Sequence, residues 1–364
     1  MLTSRGNGLD FEVIHDLVRQ FAELTLAGRQ ILIVSSGAIA AGLQELKLPD
    51  FPRTITQKQA AAAVGQSHLI WAYERAFGQF QRCVAQVLLT HEDLRHRARY
   101  LNARNTLFML IRLGAIPIIN ENDTVSVEEI KFGDNDTLSA MVADLVQADL
   151  LLMLTDLDGL YSADPRVTPQ AEFIPEVRRI TPAIEAMGGS PHSAVGTGGM
   201  FTKIQAAKKL AASGVPTLIA NGMQTGIVEA ILAGEALGTL FYPEPQLLRG
   251  RKRWIVTTLR PRGVLRVDDG ARNAIVSRGK SLLPSGIREV EGDFAFGDLV
   301  RCCDMAGNEF ARGLVNFPVG DLRLIKGLHT SKIELALGYK YYDEVIHRDN
   351  LVLWKNEAGG DVGG

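Results

Sequence analysis

The chain has little cysteine and no extended apolar run. Three cysteines in 364 residues, Cys83, Cys302 and Cys303, cannot frame a set of disulfides, so a reduced, cytoplasmic chain is expected. No run of about 18 or more apolar residues occurs, which argues against a membrane span. The first ten residues hold no apolar core of signal-peptide length. A net charge of −2 excludes a global bias toward nucleic acid or acidic lipid. The histidines show no metal-site spacing. His91 and His96 do not share a helix face, so they read as surface histidines and not as zinc ligands. No dinucleotide glycine fingerprint follows a strand, and no Ser/His/Asp set stands out.

What is present is a globular composition, 46% hydrophobic and 22% charged, at a length that suits about two domains. Val13, Ile14, Leu17, Val18, Phe21 and Leu24 recur at helical spacing over 11–27, and Gly28 stops that helix. Residues 31–34 read as a short buried strand that opens into a helix at Ser35-Ser36-Gly37-Ala38. A second helical stretch covers about 57–80. The same alternation then repeats. Strands are expected at 84–89, 115–119, 150–154, 215–219 and 238–241, and helices at 101–113, 136–147 and 203–213. Short apolar strands alternating with helices predict a mostly parallel sheet covered by helices on both faces.

Past about residue 245 helical periodicity fades. Short alternating stretches at 263–267, 299–302 and 310–315, separated by Gly and Asp turns, predict a small β-rich domain. The resulting division is 1–245, a linker at 246–262, the β domain at 263–345 and a tail at 346–364. Between residues 246 and 292 there are eleven Lys/Arg against four Asp/Glu. Such a positive stretch can attract a phosphate backbone, and it can also be an ordinary solvated surface.

Small and polar residues collect where the expected strands end: Ser35, Ser36, Asn120, Asn122, Asp123, Thr155, Asp156 and Asn221. In open α/β sheets ligands bind beyond the carboxyl ends of strands. Asn120-Glu-Asn-Asp123 and Gly133-Asp-Asn-Asp136 add carboxylates and carboxamides that can hold a polar substrate or a hydrated cation. Gly196-Thr-Gly-Gly-Met-Phe-Thr-Lys203 precedes a helix; its glycines let backbone approach a phosphate, and Lys203 adds a point charge. Taken alone, this loop is also consistent with a flexible turn, and either serine of Ser35-Ser36, taken alone, is expected to be a helix N-cap. Acidic cluster, Gly-rich loop with lysine and polar strand ends together suit phosphoryl transfer, which relies on positioning and charge more than on a nucleophilic side chain.

These segments resemble the glutamate 5-kinase branch of the amino-acid kinases. The likeness is carried by residues 34–42 (Val-Ser-Ser-Gly-Ala-Ile-Ala-Ala-Gly), Ala63-Val-Gly-Gln66, Tyr100-Leu-Asn-Ala-Arg104, Ile119-Asn-Glu-Asn-Asp123, Phe132-Gly-Asp-Asn-Asp136, Leu154-Thr-Asp156 and the loop ending at Lys203. From Arg251-Lys-Arg-Trp254 onward the chain looks like a PUA domain, an RNA-associated β-barrel. The resemblance implies ATP-dependent phosphorylation of the γ-carboxylate of L-glutamate. It implies Ser36, Asn120, Asp123 and Asn135 as substrate residues. For ATP it implies Thr155 and Asp156 with Thr197, Gly198, Gly199, Met200, Phe201, Thr202 and Lys203. Asp136 would orient the active-site lysines, with Asp134 as a helper. It further implies Mg2+ with ATP, L-proline as a feedback inhibitor acting through the stretch 124–133, possible RNA binding, and a homo-oligomer, dimer or tetramer.

One departure is expected to matter. The family begins with a strand ending in Lys-x-Gly-[Ser/Thr], and residues 1–10 do not resemble it. This suggests a start codon placed too far downstream. A chain complete as written is expected to show weak or no kinase activity and reduced stability. Two other readings remain: a different acceptor within the amino-acid kinases, and an inactive or regulatory RNA-binding protein that keeps the α/β part as scaffold.

Overall fold

Asp10 starts the first helix, because its carboxylate accepts hydrogen bonds from the amides of Glu12 and Val13, both at 3.2 Å. Helix α1 (Phe11–Leu26) buries Ile14, Leu17, Val18 and Ala22 along one stripe. The computed structural model describes residues 2, 8–47, 54–126, 134–189, 199–244 and 261–354. They divide into two units, Met1–Leu248 and Arg249–Gly364.

In the first unit β1 (Ile33–Val34) leads into α2 (Ala38–Glu45) and then α3 (Ile55–Gly78). Thr54 and Gln57 form a reciprocal cap at the start of α3. Strand β2 (Val84–Leu89), helices α4 (His91–Arg95) and α5 (Arg97–Arg112), β3 (Ile116–Glu121), α6 (Asp134–Val146) and β4 (Leu151–Thr155) follow. The short strands β5 (Leu160–Tyr161), β6 (Phe173–Ile174) and β7 (Glu176–Val177) come next, then α7 (Pro182–Met187). The unit closes with α8 (Met200–Ser213), β8 (Thr217–Asn221), α9 (Ile227–Leu232) and β9 (Thr239–Phe241).

Strands β1, β3 and β2 form one parallel sheet, in the order β1-β3-β2. A second sheet runs β4-β8-β9-β7, parallel except between β8 and β9. Both sheets thus fit the expected mostly parallel α/β architecture. Among the described residues β1 and β4 are each paired along one edge only. Ile33, Ile116 and Ile118 of the first sheet share a core with Leu218 and Ala220 of the second and with α1 and α3. Leu107, Ile119, Leu138 and Leu145 fill the opposite face of the first sheet beneath α5 and α6.

Helices α2 and α3 touch backbone to backbone. A Cβ on Gly42 would lie 1.8 Å from the carbonyl oxygen of Ala61, and one on Gly65 would lie 1.8 Å from that of Ala38. Only glycine permits that approach.

In the second unit β10 (Gly263–Val267), β11 (Ile287–Gly292), β12 (Leu299–Cys303), β13 (Glu309–Leu314) and β14 (Leu351–Leu353) make one sheet, ordered β11-β10-β12-β13-β14. Strands β10 and β12 are parallel and the other pairs antiparallel. Two features depart from expectation. A ten-residue helix, Asp269–Arg278, follows β10. It buries only Ile275, too few apolar positions to leave a 3.6-residue period in the sequence. The stretch expected as tail also contributes β14, and Ile346 is fully buried, because three residues are too few for a legible alternation. The helices Asp269–Arg278 and Val319–Ile325 show that this unit is strand-rich without being purely β.

Candidate active site

Parallel strands deliver their carboxyl ends to one side, and the polar residues gather there. Ser35 follows β1 and is buried, whereas the adjacent Ser36 is exposed. Neither serine caps α2. The N-cap is Gly37 at φ 111°, with no side-chain cap. The expectation of a serine cap therefore fails: the chain turns into α2 through a left-handed residue that only glycine adopts cheaply. This leaves the Ser36 side chain free of a capping duty. The Ser35 hydroxyl instead lies 3.0 Å from the hydroxyl of Tyr73 on α3. Burial pushes the Tyr73 phenol up to about 12, offset in part by the bond to Ser35, so it stays protonated.

Asn120, 3% exposed near the end of β3, is tied on three sides. Its Oδ1 accepts from the amide of Glu121 at 2.9 Å and from Nδ2 of Asn135 at 3.1 Å. Its Nδ2 donates to Oε1 of Gln66 at 2.8 Å. Nδ2 of Asn135 also donates to the carbonyl of Ser35 at 3.0 Å. Four elements, β1, β3, α3 and α6, thus converge on two carboxamides. Asp123 lies in the turn just past β3, beside a cavity of about 310 Å³ lined also by Gln66, Ile70, Gln86, Leu88 and Asn122.

The charged part of the site is Asp136 in the first turn of α6. Lys203 Nζ donates to both of its carboxylate oxygens at 3.1 Å. The Thr202 hydroxyl lies 2.6 Å from Oδ2 of Asp136 and 2.7 Å from the carbonyl of Gly199. The two side chains of the ion pair are only 10% and 16% exposed. Gly199 is the N-cap of α8 and has no side chain with which to cap its first amides.

Thr155 ends β4, and its hydroxyl donates to Asp156 at 3.2 Å. Arg166 reaches the Asp156 carboxylate at 3.6 Å across an exposed surface. Beside them lies a second cavity, about 250 Å³, lined by Asp158, Tyr161, Phe173, Asn221, Ile227 and Leu237. Asn221 Nδ2 donates to Asp158 at 2.9 Å.

Thr197, Gly198, residues 127–133 and the Asp134 side chain lie outside the described residues. The remaining expected site residues fall in two groups, Ser36, Asn120, Asp123 and Asn135 in one, and Thr155 with Asp156 in another. Asp136, Thr202 and Lys203 join α6 to α8. His91 corrects an expectation: its side chain is 14% exposed and lies 3.5 Å from the Glu121 carboxylate, so it is not a surface histidine. Sequence reasoning assigned no role to Gln66 or Tyr73. Gln66 stands in the Ala63-Val-Gly-Gln66 segment that carries the resemblance, but neither residue's approach to a strand end from α3 is resolved by period alone.

The sequence matches the amino acid kinase family over residues 1–221 and the PUA domain over residues 263–337. It is 54% identical over 353 residues to a protein of Geobacter sulfurreducens named glutamate 5-kinase, covering 97% of this chain and 95% of that one. A protein of the same name from Trichlorobacter lovleyi is also 54% identical, covering 97% of this chain and 94% of the other. Among solved structures, isopentenyl phosphate kinase of T. acidophilum aligns with a TM-score of 0.45 at 18% identity, covering 66% of this chain and 95% of that one.

Proposed function

The chain belongs to the amino acid kinase family and carries a PUA domain, and on that premise we propose that it transfers the γ-phosphoryl group of ATP to the γ-carboxylate of L-glutamate. The product is L-glutamyl 5-phosphate, the first intermediate toward proline. The relatives named glutamate 5-kinase support the choice of acceptor. The observation that carries the reading is Lys203, held by both oxygens of Asp136 next to the Asn135–Asn120 pair.

Glutamate's γ-carboxylate has a reference pKa of about 4.3, so it is already the nucleophile at neutral pH and needs no general base. One of its oxygens bonds to the γ-phosphorus as the bond from that phosphorus to the β–γ bridging oxygen breaks, and ADP leaves. The barrier lies in bringing two anions together, and fixed cations and amides aimed at the developing charge lower it. Lys203 supplies that charge. Asp136 is held by two donors and orients the lysine; it has no proton to take. Ser36, Asn120, Asp123 and Asn135 are the proposed glutamate residues. Thr155, Asp156 and the stretch 197–203 are the proposed ATP residues, with Asp134 as a helper.

Mg2+ fits as the ion of MgATP. Among the described residues no group of three or more His, Cys, Asp or Glu converges, and Asp136 is already held by Lys203 and Thr202. Bound with the nucleotide, the ion would neutralise phosphate charge during transfer. Proline as inhibitor, a homo-oligomeric state, RNA as a partner of the second unit and a cytoplasmic location are part of the same proposal. No described helix is long and apolar enough to cross a membrane. On the second unit three described cations of the basic stretch are already paired, Arg262 with Asp298, Arg266 with Glu289 and Glu291, and Arg288 with Asp268. RNA binding would therefore have to draw on others, and it should weaken steeply with salt.

The test is ATP-dependent acyl phosphate trapped by hydroxylamine with free glutamate, together with ADP release measured for glutamate, carbamate, acetylglutamate, aspartate and UMP, since phosphorylated UMP is not an acyl phosphate. Hydroxamate formed with glutamate supports the reading. Turnover of another acceptor with none on glutamate would sink it.

A further inference from the structure

The carboxamides beneath the proposed glutamate site can each adopt one orientation only, and the reason lies in the backbone. The Glu121 amide is a donor, so the Asn120 atom facing it must be oxygen, and Nδ2 must point the other way, toward Gln66. The Ser35 carbonyl is an acceptor, so the Asn135 atom facing it must be nitrogen. That nitrogen also donates to Asn120 Oδ1. Two consequences follow. Gln66 must present Oε1 to Asn120. Asn135 must turn its own Oδ1 away from both partners, and that atom is buried with no hydrogen-bond partner among the described residues. A buried acceptor without a donor is costly, and at a substrate site it is a place for a donor to arrive.

We propose that Gln66 is a positioning residue for substrate recognition: by accepting from Asn120 it locks the amide chain so that Asn135 Oδ1 faces the ammonium group of the bound amino acid. The inference rests on the glutamate reading above. Without Gln66 Oε1, Asn120 loses the partner of its Nδ2. Its amide cannot rotate to recover, because rotation would set donor against donor at Glu121 and Asn135, so the side chain must shift to find another acceptor for Nδ2. That shift stretches the link between Asn135 and Asn120, and with it the aim of the free oxygen is lost. Helix α3 is held for this task. Gly65, the residue before Gln66, packs its backbone against the Ala38 carbonyl of α2, which fixes how deeply Gln66 reaches toward β3.

Gln66→Met keeps the length of the side chain and removes the acceptor. Gln66→Glu keeps an acceptor oxygen. In the full chain, calorimetric titration with L-glutamate should show binding weakened about tenfold in Gln66→Met, the size expected for one misaimed bond to a charged donor. Gln66→Glu should recover most of it. The KM for glutamate should rise by the same factor while the KM for ATP stays near wild type, and the melting temperature should fall only by what one unpaired buried donor costs. Equal glutamate affinity in wild type and Gln66→Met would overturn the proposal. So would a Gln66→Glu as impaired as Gln66→Met, or a parallel loss of ATP affinity and thermal stability, which marks a scaffold role. A wild-type chain that neither binds nor phosphorylates glutamate would instead remove the glutamate reading, and this inference with it.

Discussion

Lys203 and Asp136 form an ion pair that is almost buried, and its worth is asymmetric. Removing one partner strands the other charge, at a cost of about 3–5 kcal/mol for a buried pair. Lys203→Ala should lower kcat by roughly 100-fold or more, the usual cost of losing one fixed donor to transition-state charge. Its KM for glutamate should change little, because the lysine charge acts on the transferred phosphoryl group and not on the amino acid. Steady-state kinetics check this, and a large rise in glutamate KM at unchanged kcat would contradict the role. Asp123→Ala should behave in the opposite way, raising glutamate KM with a smaller effect on kcat. An unchanged KM would take Asp123 off the substrate side of the site. At this scale much was legible. Asn120, Asp123, Asn135, Asp136 and Lys203 stand in runs whose composition alone marks them as polar strand ends or helix starts. Gln66 and Tyr73 were not legible as site residues, since on a helix mixed in polarity nothing local says which face meets β3.

Among the described elements, α2 and α3 meet backbone to backbone through Gly42 and Gly65. Gly65→Ala would place a methyl 1.8 Å from the Ala38 carbonyl oxygen, and backbone cannot give way as a side chain can. A loss of about 1–3 kcal/mol is expected, read as a lower melting temperature. A shift in α3 should also loosen Gln66, so glutamate affinity should fall in the same variant. The cap of α4 gives a prediction in pH. Burial alone would raise the Asp93 carboxyl, but the amide and hydroxyl of Thr90, with Arg99, hold it below its ordinary value of 3.8. A depressed carboxyl stabilises the fold above its unfolded pKa and loses that contribution as pH falls through the folded value. Asp93→Asn should therefore destabilise the chain at neutral pH, and the difference from wild type should shrink as the pH is lowered below about 4. A gap that stays constant down to pH 2 would show that the cap does not depend on charge. Element reading from sequence succeeded wherever apolar period was strong. Strand β2 runs over the expected residues, and α1 ends one residue short of the expected 27. It missed the helix Asp269–Arg278 and the strand β14, where few apolar residues are spent.

For the whole molecule, two units with separate cores need not unfold together. Scanning calorimetry should resolve two transitions. Glutamate with ATP should raise only the one belonging to the first unit, because a ligand stabilises what binds it. A single transition that shifts as one would show the units to be thermodynamically coupled.

Sequence by itself determined the class of the fold and the chemistry available to it. Apolar strands alternating with helices leave little choice but a parallel sheet with its polar residues at the strand ends, because both the burial period and the turn residues are local properties. Tertiary structure decided which of those ends meet. The Lys203–Asp136 pair spans 67 positions and the Asn120–Gln66 bond spans 54, distances over which no period carries information. The direction of each carboxamide was likewise undecided until backbone groups from β1 and β3 stood on either side of it.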